Sequence, residues 1–353
     1  MRKTGSRFKF LFMGKFPVPV GPMKPKIFVT RQIPKPAMDL LFLHFDVEFN
    51  KEDRVLTKKE IVKGVKGKDA LLCLLTDSID AEVLDAEPNL KMVSNYAVGF
   101  NNVDVKAATH HGILVTNTPG VLTDATADFA FTLLLAAARR VGEAERFVRK
   151  GKFKGWGPLH FLGQSTEDAT LGIFGLGRIG REVARRAAQG FEMKILYHDV
   201  QRVPDFEKEF GAKFVDKETL LRESDFVSLH VPLNPNTHHL IGEKEFKLMK
   251  PTAVLVNTSR GPVVDEKALA QALQEKRIFA AGLDVYEREP VIEKALLKLE
   301  NVVLAPHIAS ATVKSRTDMG LLAVNNLVSA FNGIAPDCLV NRKVLAKSRM
   351  KVT

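Results

Sequence analysis

The stretch LGIFGLGRIGREVARRAAQGFEMKILYHD, residues 171–199, contains two apolar runs separated by a glycine-rich turn and a basic segment. The run at 171–174 has the length of a buried strand, and apolar residues then recur at helical spacing before the second run at 193–197. This pattern predicts a strand, a tight turn, an amphipathic helix and a second strand. Such a unit belongs to a parallel sheet.

The three glycines of this stretch have different physical uses. Gly175 permits a tight turn, Gly177 lets the backbone approach a pyrophosphate, and Gly180 lets the helix pack closely on the strand. Asp199, at the end of the second strand, can accept hydrogen bonds from ribose hydroxyls and would repel the 2′-phosphate of NADP. The stretch therefore predicts a dinucleotide site that prefers NAD(H), and the nearby Arg202 leaves some use of NADP(H) possible.

The same alternation of short apolar runs and helical segments extends along the chain, which favours an α/β fold with parallel sheets. Long helices are predicted at 123–141, 265–276 and 312–331, and a connector rich in glycine and aromatic residues occupies 151–165. The predicted strands are 26–30, 70–76, 91–98, 113–117, 171–174, 193–197, 226–230, 253–257, 279–285 and 302–305.

Composition limits the classes of protein to consider. The chain has 353 residues, of which 45% are hydrophobic and 26% charged, as expected for two globular domains. Its longest apolar run, 129–138, is too short to span a membrane. The two cysteines, Cys73 and Cys338, lie in no CxxC or Cys/His cluster, so we expect free thiols, a cytoplasmic location and no metal site.

The net charge of +11 raises the question of nucleic-acid binding. Five of the basic residues lie in the first 22 residues, where they have no acidic neighbours, and we interpret 1–22 as a disordered extension. No basic run is interleaved with stacking aromatics, and no nucleic-acid fold signature occurs. A solvated basic surface is the better interpretation, and no nucleic-acid partner is expected.

Three polar residues follow successive predicted strands of the second half: Arg260, Glu289 and His307. Each alone has an ordinary structural explanation, namely a surface ion pair, the end of a turn before Pro290, or a packed histidine. In an open parallel sheet, however, ligands bind outside the carboxyl ends of the strands. Their shared placement beside a dinucleotide site makes the three residues candidates for catalysis.

The motifs together resemble those of the D-isomer-specific 2-hydroxyacid dehydrogenase family, especially its glyoxylate/hydroxypyruvate reductase branch. The resemblance extends from about Met23 to Val340. It rests on NYAVGFNNVD (95–104), GIFGLGRIG (172–180), VNTSRGPVVDE (256–266), AGLDVYEREP (281–290) and LAPHIASAT (304–312).

The resemblance implies reduction of a small 2-keto acid, most simply glyoxylate or hydroxypyruvate, to the 2-hydroxy acid. Arg260 would bind the substrate carboxylate, and His307 would act as the general acid. Glu289 would hold the imidazole and favour its protonated form. Backbone N–H groups around Val98 and Gly99 would also bind the substrate carboxylate, although a plain turn after a strand explains this segment equally.

The family pattern also implies which residues contact the coenzyme. Arg178 and Ile179 would lie at the pyrophosphate, Asp284 would bind the nicotinamide carboxamide, and Thr123 and Thr258 would be neighbours of the nicotinamide. A strand-end cap is the alternative for Asp284, and a helix cap is the alternative for Thr123.

By the same resemblance the fold has two doubly wound parallel-sheet domains with a cleft between them. A flavodoxin-like substrate domain would comprise 23–120 and 310–340, a Rossmann-type NAD-binding domain 121–309, and a tail 341–353. The chain would form a homodimer, with Trp156 in the connector at the dimer contact.

Other activities use the same scaffold. A D-lactate or phosphoglycerate dehydrogenase of this family is one alternative. A corepressor-like protein that binds NAD without turnover is another, because retention of Arg260, Glu289 and His307 does not exclude it.

Overall fold

Two parallel β-sheets organise the chain. The structure, a computed structural model, describes residues 24–353, so the extension predicted at 1–22 lies outside the described residues. One unit comprises residues 24–119 together with Arg316–Thr353, and the other is Gly120–Ser315. The chain therefore enters the second unit after its fifth strand and returns to the first unit in its last helix.

The first unit contains a five-stranded sheet in which every strand pair is parallel. Its strands are β1 (Lys26–Val29), β2 (Asp46–Phe49), β3 (Ala70–Leu74), β4 (Met92–Tyr96) and β5 (Leu114–Thr116). They are ordered β2-β1-β3-β4-β5, which is the flavodoxin-like order. Four helices precede the second unit: α1 (Lys35–His44), α2 (Lys58–Val65), α3 (Ala81–Asp85) and α4 (Val105–His110).

The second unit contains a seven-stranded parallel sheet. Its strands are β6 (Thr170–Phe174), β7 (Lys194–His198), β8 (Lys213–Phe214), β9 (Phe226–Leu229), β10 (Val254–Asn257), β11 (Ala280–Leu283) and β12 (Val302–Leu304). The order is β12-β11-β10-β9-β6-β7-β8, so the direction of winding reverses between β6 and β9. Such a switch point opens a crevice at the carboxyl ends of the strands.

The second unit also contains helices, most of which bury apolar side chains. They are α5 (Thr123–Ala138), α6 (Val141–Arg149), α7 (Arg178–Phe191), α8 (Pro204–Phe210), α9 (Lys217–Glu223), α10 (Glu243–Phe246) and α11 (Glu266–Gln274). In α7 the residues at helical spacing, Val183, Ala184 and Ala187, are all buried. The amphipathic pattern seen in the sequence therefore lies on the sheet as expected.

The last helix, α12 (Val313–Phe331), passes from the second unit into the first. Its Ala323 is buried, and the carbonyl of that residue accepts a 2.9 Å hydrogen bond from Ser94 Oγ on β4. The segment 341–353, expected to be a tail, contains a 3-10 helix whose Val344 is fully buried. The side chain of Arg349 also donates to Leu90 O at 2.8 Å, so these residues pack on the first unit.

Differences from the predicted elements occur mainly at their ends. Each predicted strand is present, but the runs 91–98 and 279–285 are shorter in the structure because their last residues turn into loops. The helix predicted to reach Val141 ends at Ala138, and Arg140 has a left-handed φ of 54° that breaks it from α6. Within residues 24–353 no helix is long and apolar enough to cross a membrane.

Candidate active site

The glycine turn joins β6 to α7 and leaves space where a diphosphate would lie. Gly175 has a φ of +87°, a conformation that disfavours a side chain. A Cβ at Gly180 would lie 2.0 Å from the carbonyl oxygen of Gly175, so the helix can approach the strand only with glycine there. At Gly177, the N-cap of α7, an added Cβ would meet nothing within 4 Å. This open helix start fits an anionic diphosphate.

Arg178 and Ile179 are the first residues of α7 after its N-cap. Arg178 is exposed, whereas Ile179 is half-buried and packs against the core of the second unit. Their placement in the first turn of the helix is consistent with a position near the diphosphate. Within residues 24–353 the exposed side chain of Arg178 has no fixed partner.

Asp199 follows β7 and lies against the glycine turn. One of its oxygens accepts from Leu176 N and the other from Val200 N, each at 2.6 Å. Because a carboxylate can accept about four hydrogen bonds, capacity for ribose hydroxyls remains. Arg202 forms an ion pair with Glu207, with Nη2 and Oε2 2.6 Å apart, so its charge is already engaged by a carboxylate.

Glu289 and His307 form a hydrogen-bonded pair. Nδ1 of His307 lies 2.8 Å from Oε2 of Glu289, and Oε1 of Glu289 accepts from Tyr286 N at 3.0 Å. Burial acts to raise the pKa of Glu289, but the hydrogen bond to His307 and the nearby positive charges outweigh it and hold the pKa below its ordinary value. The carboxylate is therefore ionised at neutral pH and orients the imidazole.

The backbone on either side of His307 is fixed by two other side chains. Asp284 is fully buried, and its two oxygens accept from Ile308 N at 2.7 Å and Ala309 N at 2.8 Å. Burial raises the pKa of Asp284, and the two backbone donors act in the opposite direction. The hydroxyl of Tyr286 donates to Ala305 O at 2.9 Å. Asp284 thus fixes the backbone that directly follows His307.

Arg260 follows β10 and is half-buried. Its Nη1 donates to Ser259 O at 2.6 Å, and its carbonyl accepts from Nδ2 of Asn257 at 3.0 Å. Burial lowers the pKa of the guanidinium, while the negative charge of Glu289 acts to raise it. The charges of Arg260 and of the Glu289–His307 pair therefore act on one another at the carboxyl ends of β10 to β12.

Two threonines expected beside the nicotinamide lie in this unit. The hydroxyl of Thr258 is buried and has no hydrogen-bond partner within residues 24–353. An orphaned hydroxyl of this kind fits a site that is completed by a ligand. Thr123 is the first residue of α5, whose N-cap is Leu122, and in the described chain no side chain caps this helix. Capping therefore does not explain Thr123.

Val98 and Gly99 lie in the first unit, in the loop after β4. The carbonyl of Val98 accepts from the side-chain amide of Asn117 at 2.7 Å, and that of Gly99 accepts from Asn95 at 2.9 Å. These bonds fix the backbone of the loop and leave its carbonyl oxygens occupied.

His230 was missed by the sequence analysis. It follows β9, directly beside the glycine turn, because a Cβ at Gly175 would lie 2.7 Å from His230 O. Its Nε2 is 2.8 Å from Ser228 Oγ, and burial lowers its pKa to about 4, so the ring is neutral at physiological pH. The signal was available: a histidine follows the apolar run FVSL at a strand end.

Asn257 and Tyr286 were also missed. Their side chains hold the backbone of loops that carry candidate catalytic residues. Both are buried, and each binds a backbone carbonyl of a loop that carries a candidate catalytic residue. A buried asparagine at a strand end was the available signal for Asn257. No group of three or more His, Cys, Asp or Glu side chains within 24–353 is arranged to hold a metal ion.

Known proteins similar to this chain extend over nearly its whole length. A family model described as "D-isomer specific 2-hydroxyacid dehydrogenase, NAD binding domain" matches residues 131–309. Glyoxylate reductase of Korarchaeum cryptofilum is 56% identical over 325 residues, which cover 92% of this chain and 98% of that protein. The chain belongs to the D-isomer specific 2-hydroxyacid dehydrogenase family. It is therefore an oxidoreductase that uses a nicotinamide dinucleotide.

Other members of the family agree in sequence and structure. Glyoxylate reductase of Thermococcus litoralis is 53% identical over 92% of this chain and 99% of its own length. The crystal structure of a glyoxylate reductase from Paecilomyes thermophila covers 92% of this chain and all of that one, with 34% identity and a TM-score of 0.81. An NADPH-dependent glyoxylate/hydroxypyruvate reductase from Sinorhizobium meliloti, crystallised with NADP and malonate, covers 91% and 98% with 33% identity and a TM-score of 0.79.

Proposed function

We propose that this 2-hydroxyacid dehydrogenase reduces glyoxylate or hydroxypyruvate to the corresponding 2-hydroxy acid with NAD(P)H. The observation that carries the chemistry is the 2.8 Å hydrogen bond between His307 and an ionised Glu289 beside Arg260. The substrate class follows the relatives, which are named glyoxylate reductases and match over nearly their whole lengths.

In this proposal Arg260 binds the substrate carboxylate. Its planar guanidinium presents a fork of donors that matches two carboxylate oxygens, and burial strengthens such a charged contact. Burial also disfavours the charged form of the guanidinium and lowers the pKa of Arg260. An anionic substrate would remove that penalty. Binding of the substrate carboxylate by backbone N–H groups of Val98 and Gly99 stays a prediction from the family resemblance.

His307 donates the proton that the ketone oxygen gains on reduction. A histidine can carry and release a proton near neutral pH, and the negative charge of Glu289 favours the protonated imidazole. Glu289 also accepts from Tyr286 N, which fixes the carboxylate in turn. The proton donor is thus held in one orientation before substrate binds.

The coenzyme would be held by residues of the second unit. The start of α7, with Gly175, Gly177, Arg178, Ile179 and Gly180, fits the diphosphate. The remaining contacts proposed are Asp199 with the ribose hydroxyls, Asp284 with the carboxamide, and Thr123 and Thr258 with the nicotinamide. When bound, the reduced nicotinamide supplies the hydride for the carbonyl carbon.

We also propose that NAD(H) is preferred over NADP(H). Asp199 would repel a 2′-phosphate, and Arg202, the nearest candidate to bind that phosphate, is paired with Glu207. The related enzyme from Sinorhizobium meliloti is NADPH-dependent, so a direct measurement is needed.

One experiment tests the reaction and the coenzyme together. Oxidation of NADH and of NADPH would be followed at 340 nm with glyoxylate, hydroxypyruvate, pyruvate and phenylpyruvate. We expect the highest kcat/KM with glyoxylate or hydroxypyruvate and NADH. Turnover confined to pyruvate would indicate a D-lactate dehydrogenase. Tight NADH binding without turnover of any keto acid would indicate a binding protein instead.

Replacement of the proposed acid gives the first residue-level prediction. The variant His307→Asn should lower kcat about 10²- to 10⁴-fold, the usual contribution of general acid catalysis. Its affinity for NADH, measured by calorimetry, should stay near that of the wild type. Wild-type activity in this variant would show that another group donates the proton.

Two further proposals concern the oligomeric state and the location of the enzyme. We propose a homodimer. We also propose a reducing, cytoplasmic location, since Cys73 and Cys338 lie in no CxxC motif or Cys/His cluster. Exposed apolar side chains of α6 and the connector support the dimer, among them Trp156 with 84% of its surface exposed.

A further inference from the structure

A buried carboxylate binds the segment that carries Glu289. Glu266 is the first residue of α11, and only 4% of its surface is exposed. Its Oε1 accepts from Glu287 N at 2.6 Å, and its Oε2 accepts from Glu293 N at 3.2 Å. A carboxylate this buried is costly unless its oxygens are bonded, so both contacts contribute to its stability.

The two donors bracket the segment that carries Glu289. Glu287 lies two residues before Glu289, and Glu293 lies four residues after it. One side chain thus binds the backbone at both ends of this segment. Because Glu289 must meet His307 within hydrogen-bond distance, a shift of the segment would separate the pair.

A reciprocal bond reinforces the same contact. The side chain of Glu287 accepts from Glu266 N at 3.3 Å through Oε2, while its Oε1 lies 2.5 Å from Nε2 of His239. His239 N in turn donates to Pro262 O at 2.8 Å, in the loop just after Arg260. The network therefore connects the loops that bear Arg260 and Glu289.

We propose that Glu266 is a positioning residue for catalysis: it holds the 287–293 segment so that Glu289 stays bonded to His307. This inference rests on the proposed roles of Glu289 and His307. The groups that face Glu266 are the carboxylates of Glu287 and Glu293 and, beyond Glu287, the imidazole of His239.

A carboxylate is the group suited to this position. Burial and its acidic neighbours raise the pKa of Glu266, and the two backbone N–H donors act in the opposite direction and favour the charged form. An amide of the same shape has only one acceptor oxygen, and its NH₂ group would face the second backbone N–H. Glu266→Gln therefore breaks one end of the contact without changing side-chain volume.

The test compares Glu266→Gln with a control away from the site, Asp225→Asn, which also removes an ion pair with Lys250. Asp225 also accepts a backbone N–H, that of Thr170 at 2.9 Å, but at the amino ends of β6 and β9. We expect Glu266→Gln to lower kcat about 10- to 100-fold with a small change in the KM for NADH. Separation of the Glu289 carboxylate from His307 should also move the alkaline fall of the reduction rate to lower pH. Asp225→Asn should leave the pH profile unchanged.

The variants Glu289→Gln and Glu266→Asp, measured in parallel, separate the possible failures. Full activity in Glu289→Gln would overturn the role of Glu289 and this inference with it. An impaired Glu289→Gln beside a Glu266→Gln with wild-type kcat and pH profile would overturn this inference alone. If Glu266→Gln does not fold, the shorter Glu266→Asp must show the lowered kcat and shifted profile. If the pH profile of Glu266→Asp is unshifted, Glu266 serves the fold and not the position of Glu289.

Discussion

At residue 199 a single carboxylate lies against the turn that would cradle the diphosphate. We predict that Asp199→Asn raises kcat/KM for NADPH about fivefold relative to that for NADH, since loss of one like charge near a phosphate is worth about 1 kcal/mol in a solvated site. The readout is the ratio of the two coenzymes within one variant. Damage to the bond with Leu176 N would affect both coenzymes and cancel in the ratio. An unchanged ratio would mean that another residue sets the preference.

Individual site residues differ in how far the sequence could reveal them. The packing roles of Gly175 and Gly180 were predictable because they depend on local spacing within one βαβ unit, whereas the ribose-binding role of Asp199 stays a prediction. Tyr286 and Glu266 were not, since each acts by binding the backbone of a segment distant in sequence. Such contacts depend on how the loops fold over one another, which no local periodicity encodes.

At the scale of one element, the turn between β6 and α7 contains one glycine needed for packing, Gly180, and one proposed to serve coenzyme binding alone, Gly177. Gly180→Ala should lower the free energy of unfolding by about 1–3 kcal/mol, the usual cost of overpacking, because its Cβ would strike Gly175 O. It should weaken NADH binding as well. Unfolding can be followed by circular dichroism and binding by calorimetry.

Gly177→Ser is the matched control for that variant. Serine is a favourable N-cap, and a Cβ at this position meets nothing in the protein, so stability should be retained. Its side chain would nevertheless occupy the space proposed for the diphosphate and weaken NADH binding. Equal binding in the serine variant and the wild type would place the diphosphate elsewhere.

Elements were predictable where burial was strong and continuous. The central strands β3, β4 and β6 are apolar runs buried along nearly their whole length. The edge strands β2 and β8 were not predicted, because β2 is only partly buried and β8 has two exposed residues. At an edge, one neighbouring strand supplies the pairing, and the residues themselves carry little apolar signal.

At the scale of the whole molecule, the exposed connector tests the proposed dimer. Trp156 and Leu159 expose 84% and 79% of their surfaces, an unusual density of apolar area. We predict a mass near twice the chain mass of 39.1 kDa by light scattering, and a monomer for the double variant Trp156→Asp, Leu159→Asp. The control is Val313→Asp, which changes an equally exposed apolar residue (89%) outside the connector. A dimer that survives the double variant would require a different interface.

The path of the chain has a consequence for its synthesis. Strands β1 to β5 leave the ribosome first, yet their unit also needs Ala323 of α12 and Val344 near the end of the chain. The second unit, by contrast, is a continuous stretch. We expect the second unit to fold first during synthesis, so that the sheet of β1 to β5 keeps part of its apolar surface exposed until residues 316–353 have been translated.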